Sequence, residues 1–439
     1  MVAAGPASTP YAEVRPILEQ QRAALPLQLH IRGEPQWLAW ARQQDKTIRA
    51  RLEQGDLDSM VNLLLLGTSF TSRPRIRMAD LTAASKSGLL RSRVDDLAAG
   101  LATPRENERL QFLQGLLRKQ GIDPGTPDGA RETGQFIYQN LLRVLRERQA
   151  LAERAARADT AARPDNGASL LDRASLFRDR GLSLDTGIFP DFSIEQTLRD
   201  LKQRGVLREG RLARVGVIGP GLDFIDKNED AAYDYYPLQT LQPFGLYDSL
   251  VRLKLARPGA LSVSILDISP QVLEHVRRAR EQARKNLGYI IQLPRDVARP
   301  WPADVIAYWK VFGDQVGTAV EPIRPPALFP GLETRAVQIR PDVVLACEPV
   351  DLDIVLQRLN LPAADRFDLL VATNIFVYYD GFEQALALAN AAAMLRPGGL
   401  LLTNDALPEA GSMRLAGVTV VPYNAPGESG RQAVGWYQK

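Results

Sequence analysis

The sequence predicts an α/β protein in which an α-helical region precedes a parallel sheet covered on both faces and closed by an antiparallel hairpin. Three observations carry that expectation. From Arg214 onward, short β-rich apolar runs alternate with helical stretches, the pattern of parallel strands joined by helices. The chain closes with VTVVPYN and RQAVGWYQK on either side of the turn-forming APGESG, which reads as a hairpin. Upstream, from Tyr11 to Ala158, apolar residues recur at helical spacing.

In order along the chain, EPQWLAWARQQDKTIRARLEQGD, DSMVNLLLLGTSF and RETGQFIYQNLLRVLRERQALAERAARAD read as helices. Gly67 with the TSRP that follows it, and GIDPGTPDGA, interrupt them. Arg and Glu alternate through Arg146–Arg157, which reads as a solvated helix face. The aperiodic DTAARPDNGAS, Asp159–Ser169, reads as a linker, and SIEQTLRDLKQRGVL resumes helix. The strand-like runs are then VGVIG, LSVSILDI, AVQIRPDVVLAC, FDLLVATNI and GLLLTND. Between them FGLYDSLVRLKLA, SPQVLEHVRRAREQARKNL and FEQALALANAAAMLR read as helices. The domains expected are therefore 1–158 helical, 159–212 a linker and helical connection, and 213–439 the sheet domain.

Composition excludes several chemistries. The chain of 439 residues carries 54 Lys plus Arg against 51 Asp plus Glu, a net charge of +3. That balance argues against a dedicated nucleic-acid or membrane binder. Cys347 is the single cysteine, so neither a disulfide framework nor a cysteine zinc site is expected, and an inert buried thiol is. His30 and His275 alone do not make a metal cluster, and no metal is expected. There is no signal-peptide pattern and no bilayer-length apolar run, so a cytoplasmic protein is expected; the Arg- and Ala-rich composition reads as bacterial.

The first strand ends in VIGPGLD. Glycines at this point let backbone N–H groups approach a ligand at the carboxyl edge of the sheet, although close packing alone also asks for glycine. Asp267, closing LSVSILDIS, sits where a carboxylate can accept both hydroxyls of a ribose; the alternative is that it caps the helix starting at Ser269-Pro270. The interval from the glycines to Asp267 is longer than a dinucleotide fingerprint has. Pro397 and Gly398 in LRPGG make a turn before the fifth strand. FDLLVATN delivers Thr373 and Asn374 to the edge where open α/β sheets place their chemistry.

Together VIGPG, ILDIS, FDLLVATN, LRPGG and the terminal hairpin resemble the class I S-adenosylmethionine-dependent methyltransferases, over Val215–Tyr437, roughly half of the chain. The segment FDLLVATNIFVYYDGFEQALALANAAAMLRPGG is also similar to chemotaxis-receptor methyltransferases, which carry a helical N-terminal domain. The resemblance implies a Rossmann-like seven-stranded sheet with its last strand antiparallel, and S-adenosyl-L-methionine as cofactor. It implies cofactor contacts from Gly219, Pro220, Gly221, Asp267, Ile268, Thr373 and Asn374, with Asp351 or Asp353 near the adenine. The family has an acidic residue where this chain has Val217, and a third glycine where it has Asp223; Asp223 or Asp226 would then hold the cofactor's amino group, or Asp223 would cap a helix.

Methyl transfer from a sulfonium needs alignment and exclusion of water rather than metal or thiol, which suits a chain so poor in His and Cys. An unidentified acceptor, small molecule or protein side chain, is expected beside Asn374, Tyr378 and Tyr236. Asn374 otherwise caps the helix starting near Tyr379. In the insertion AAYDYYPLQTLQPFG, Tyr233, Tyr235, Tyr236 and Asp234 either hold a cation or dock the insertion onto the helical region. The Pro- and Trp-bearing stretch after Asn286 reads as a cover over the substrate. The helical region is expected over the carboxyl edge of the sheet, closing the pocket. Two other readings stay open: a nicotinamide-dependent oxidoreductase, and a non-catalytic scaffold with this fold.

Overall fold

The computed structural model describes residues 5–21, 31–71, 75–76, 86–161, 181–182, 186–224, 233–298, 301–327, 329, 331–405, 407–408, 410–425 and 428–439. His30, Asp226 and most of the expected linker lie outside them; Asp159–Ala161 continue a helix.

The N-terminal part holds β1 (Pro6–Ser8), α1 (Tyr11–Gln20), α2 (Glu34–Leu66), α3 (Lys86–Ala102), α4 (Glu108–Lys119) and α5 (Pro127–Ala161). After α6 (Ile188–Gln203) come β2 (Arg214–Ile218), α7 (Gln242–Arg252), β3 (Ser262–Asp267) and α8 (Pro270–Arg284). Next are β4 (Tyr289–Asp296), α9 (Ala303–Val311), β5 (Gly317–Val320), β6 (Leu332–Ile339), α10 (Pro341–Ala346), β7 (Cys347–Asp351) and β8 (Gln357–Leu359). The chain ends with β9 (Phe367–Ala372), α11 (Gly381–Met394), β10 (Leu395–Thr403), β11 (Arg414–Ala425) and β12 (Glu428–Gln438).

The main sheet has seven strands in the order β11-β12-β10-β9-β2-β3-β7. The pairs β2–β3, β2–β9, β3–β7 and β9–β10 are parallel, while β12 runs antiparallel to both β10 and β11. This is the Rossmann-like sheet of class I methyltransferases, with a reversed last strand inserted between the fifth and the sixth. The strands are apolar on both faces because helices cover both. Val215, Val217, Val263, Ile265, Leu369 and Val371 join one core with α6 and α7; Ile218, Leu266, Leu370, Ala372 and Leu401 join the other with α11.

The third strand departs from expectation. AVQIRPDVVLAC is not one strand: Pro341, at the first helical position, starts the short α10. Only CEPVD pairs with β3, and Leu332–Ile339 belongs to a separate antiparallel sheet in the order β4-β6-β5. Ile291, Leu293, Trp309, Val337 and Ile339 of that segment lie in the same core as α6 and α7. The stretch expected to cover the substrate is thus an extension of the core. Cys347 is fully buried there, and burial pushes its thiol up to about 12. His275 is half-buried, its Nε2 hydrogen-bonded with the Tyr289 hydroxyl at 2.7 Å while Thr240 N–H donates to the same oxygen at 2.8 Å.

The helical region is knitted into the sheet. β1 pairs with β8, Thr9 donates to Asn390 at 2.8 Å, and the Trp37 indole donates to the Thr9 carbonyl at 2.6 Å. Val14, Trp37, Ala41, Ile48 and Leu52 share a core with α11, whereas Met60–Leu66 join a different core built with α3, α4 and α5. The two helical runs read upstream of Gly67 are therefore one 33-residue helix, α2, serving two cores. Gly55 sits in its middle because the backbone of Leu182 passes there: a Cβ would lie 1.7 Å from the Leu182 carbonyl oxygen. Among the described residues no helix is long and apolar enough to cross a membrane.

Candidate functional site

A cavity opens at the carboxyl edge of β2, β3 and β7, and four segments of the sheet domain line it. The first is the turn after β2. Gly219 and Gly221 both have left-handed backbones, with φ of +62° and +69°, which glycine adopts without steric cost. A Cβ on Gly219 would lie 2.2 Å from Ile375 Cδ1, so the turn passes flat against the segment after β9. Pro220 between them is buried and holds the turn's shape.

The second segment is the end of β3, where Leu266, Asp267 and Ile268 face the cavity. Asp267 is 7% exposed, and its Oδ1 accepts the Ser269 N–H at 2.7 Å. Burial pushes its carboxyl up to about 7, against backbone N–H groups of Ser269, Ile268 and Gly221 that favour the charge. The cap of α8 is Ser269, whose hydroxyl oxygen accepts the Val272 N–H at 3.3 Å, so Asp267 is not that cap.

The third segment follows β7. Here the sequence expectation is corrected: Leu352 and Ile354 face the cavity, not Asp351 or Asp353. Asp351 turns outward to an ion pair with Arg49 at 3.0 Å. Asp353 is fully buried; its Oδ1 accepts Val355 N–H at 2.9 Å, and its Oδ2 has no partner. Burial pushes that carboxyl up to about 7. The chain turns at Ile354–Leu356, where the Leu356 and Gln357 N–H groups donate to the Asp353 carbonyl, and Leu352 and Ile354 take the inner side.

The fourth segment, after β9, contributes Ile375, Tyr378 and Tyr379. Asn374 stands at φ +57° and is exposed. Its N–H donates to Asn404 Oδ1 and its own Oδ1 receives Asn404 Nδ2, both at 2.7 Å. It lies outside the cavity lining. It does not cap α11 either: Asp380 does, with Glu383 completing a capping box. Thr373 is buried and its hydroxyl oxygen accepts Gln242 Nε2 at 2.7 Å.

Leu52 of α2 and Leu182 close the cavity from the N-terminal side. Arg49 donates to the Ile268 carbonyl at 3.3 Å and Arg51 to the Tyr378 carbonyl at 2.7 Å, so one turn of α2 is pinned to two of the lining segments. Tyr236, expected beside the acceptor, is buried elsewhere. Its hydroxyl donates to Asp223 Oδ2 at 2.6 Å, beside Gln239 Nε2 at 3.0 Å. Arg109 of α4 stacks 5.4 Å over its ring and donates to the carbonyls of Asp223 and Phe224. No helix starts at Asp223 among the described residues. Asp234 accepts the N–H groups of Thr68 and Ser69 at the end of α2. The aromatic insertion therefore docks on the helical region. Sequence reasoning missed Arg49, Arg51, Leu52, Leu352, Ile354 and Asn404. A signal existed only for Asn404, which closes LLLTND at the same edge.

An apolar slot with a tight glycine turn on one side and a single buried carboxyl at its end suits a nucleoside: a base between aliphatic walls, a ribose diol on Asp267. The donor set fits the adenosine end of S-adenosylmethionine in that sense. No family model and no curated protein matches the chain. Among solved structures it is similar to the mitomycin 7-O-methyltransferase MmcR, at 11% identity over 92% of this chain and 99% of that one, with a TM-score of 0.31. It is also similar to the magnesium protoporphyrin IX methyltransferase ChlM of Synechocystis PCC 6803 with bound S-adenosylmethionine, at 10% identity over 65% and 90%, TM-score 0.26. MtNAS in complex with MTA and tNA is a third, at 13% identity over 80% and 97%, TM-score 0.24. These likenesses are too distant to bear on chemistry; the fold assignment rests on the strand order.

Proposed function

We propose that the protein is an S-adenosylmethionine-dependent methyltransferase acting on a small molecule or a protein side chain in the cytoplasm. The observation that carries this reading is the cavity across Gly219, Gly221 and Asp267, with Ile268 and Leu352 beside it. In it, the left-handed turn brings backbone close to the ligand and Asp267 accepts the ribose hydroxyls. Leu266, Ile268, Leu352 and Ile354 hold the base, and α2 keeps water out through Leu52. The bound sulfonium supplies an activated methyl group, so these residues need only align the acceptor and exclude water. Tyr378 and Tyr379 wall the side on which the acceptor enters, with Thr373 at the strand end. The division 1–158, 159–212 and 213–439 is proposed with the same reading, the first part closing the pocket of the last.

One observation favours a second reading, a cofactor-binding scaffold without turnover: the Asn374 amide is paired with Asn404. Calorimetry on the full chain separates the readings. S-adenosylmethionine and S-adenosylhomocysteine are expected to bind and NADH not to. Binding of NADH alone would favour the oxidoreductase. Tight binding without methyl transfer to any of a broad acceptor panel would favour the scaffold.

A further inference from the structure

A buried acidic group outside the cavity reaches the same strand end. Asp191 in the first half of α6 is 3% exposed, and neither of its carboxyl oxygens has a partner. It lies against the first turn of α7: a Cβ on Gly245 would come within 2.9 Å of Asp191 Oδ2. The side chain of Gln242, which opens α7, lies beside it and favours the charged carboxyl, against the burial that disfavours it. Gln242 Oε1 is likewise buried and unpartnered, while its Nε2 donates to the Thr373 hydroxyl oxygen at 2.7 Å. Buried acceptors left without a partner on both side chains cost free energy. One proton on Asp191 removes both defects, since the carboxyl O–H then donates to Gln242 Oε1.

We infer that Asp191 is held protonated as a positioning residue, donating to Gln242, which in turn donates to Thr373 and leaves the Thr373 hydroxyl proton to be donated at the end of β9. The Thr373 proton has no acceptor among the described residues, which is what this chain of donors requires. Whatever faces that hydroxyl must bring a lone pair. Ionising Asp191 would favour the flipped amide, with the Gln242 NH2 on the carboxylate and Thr373 donating back to Gln242 Oε1. The Thr373 lone pairs would then face the site. Glu195 on α6, which also pairs with Arg199, and Asp248 on α7 both hold Arg252, and Tyr308 of α9 lies on the same side with an unpartnered hydroxyl. Burial pushes the Asp191 carboxyl up to about 8, against the Gln242 side chain, which favours the charged form.

The inference rests on the methyltransferase reading only for the use made of the Thr373 hydroxyl. Its test needs no acceptor. Infrared difference spectra of the full chain, wild type minus Asp191→Asn, are expected to show a protonated-carboxyl band at neutral pH that fades as pH rises through about 8. Gln242→Leu should move that band to higher frequency, because the hydrogen bond is lost. No band at neutral pH, or a band that Gln242→Leu leaves in place and Tyr308→Phe moves, overturns the inference. Thermal unfolding gives a second readout. The melting temperature of Asp191→Asn should gain on wild type between about pH 5 and pH 8, since the native carboxyl holds a proton that the unfolded chain releases; a pH-independent difference overturns it. S-adenosylhomocysteine affinity is expected to stay within about twofold in Asp191→Asn. If the wild type does not bind that ligand, the functional reading fails while the infrared result stands.

Discussion

Replacing Asp267 by Ala is expected to weaken S-adenosylmethionine binding by about tenfold to a hundredfold. Hydrogen bonds from the ribose to a charged acceptor are worth about 1.5–3 kcal/mol, and about 1.4 kcal/mol is tenfold in affinity. The carboxyl is buried at the end of β3 and held at about 7, so the pH dependence carries the diagnosis. Its ionised form is the better acceptor for a diol. Below pH 7 the bound state must first release the proton, so affinity in the wild type should fall by up to about tenfold per pH unit, and level off above pH 8. Asp267→Asn should flatten this profile. The stability of the ligand-free protein runs the other way. The folded carboxyl lies above the usual 3.8, so its contribution is greatest below that value and is lost as pH rises toward about 7. Calorimetry from about pH 5.5 to pH 8.5 on wild type and both variants measures the affinities. A pH-flat wild-type affinity together with an unchanged Asp267→Ala would refute the ribose contact.

Gly219→Ala should abolish measurable cofactor binding with the fold retained by circular dichroism, because the new Cβ meets Ile375 at 2.2 Å at a left-handed φ of +62°; wild-type affinity would count against the turn's role. Trp37→Ala removes a fully buried ring and its hydrogen bond to Thr9, so a loss of about 3–5 kcal/mol is expected in urea unfolding. The N-terminal helices and the sheet should then melt together, and separate transitions would contradict the shared core. Arg49→Ala breaks a half-exposed ion pair with Asp351, for which about 0.2–1 kcal/mol is usual. Its larger effect should be on cofactor off-rate, measured by stopped flow, through loosening of α2 over Ile268. Asn374→Ala, at an exposed position paired with Asn404 outside the cavity, is expected to keep both cofactor affinity and methyl transfer; a loss of methyl transfer alone would give Asn374 a place beside the acceptor.

The strands β2, β3, β9, β10 and the closing hairpin were legible because each is a contiguous apolar run bounded by Gly, Pro or Asn. The third strand was not. CEPVD is short, carries Glu348 and Pro349, and follows AVQI, the end of the eight-residue β6 that serves another sheet. Gly219, Gly221 and Asp267 were readable from spacing because the local chain alone presents them. Asp351 and Asp353 were misplaced because which side faces inward depends on where the chain turns after β7, here at Ile354–Leu356. The pairing of Asn374 with Asn404 spans 30 residues and leaves no local trace. Nor does periodicity reveal that the N-terminal half of α2 packs on the sheet while the last turns of α2 pack on α3, α4 and α5.

The most direct test is a crystal structure of the full chain with S-adenosylhomocysteine. The account predicts the ribose hydroxyls within hydrogen-bond distance of Asp267. It also places the base between Ile268 and the Leu352–Ile354 segment, with the sulfur turned toward Thr373 and Tyr378. A ligand bound away from the Gly219–Gly221 turn, or with its ribose clear of Asp267, would contradict it.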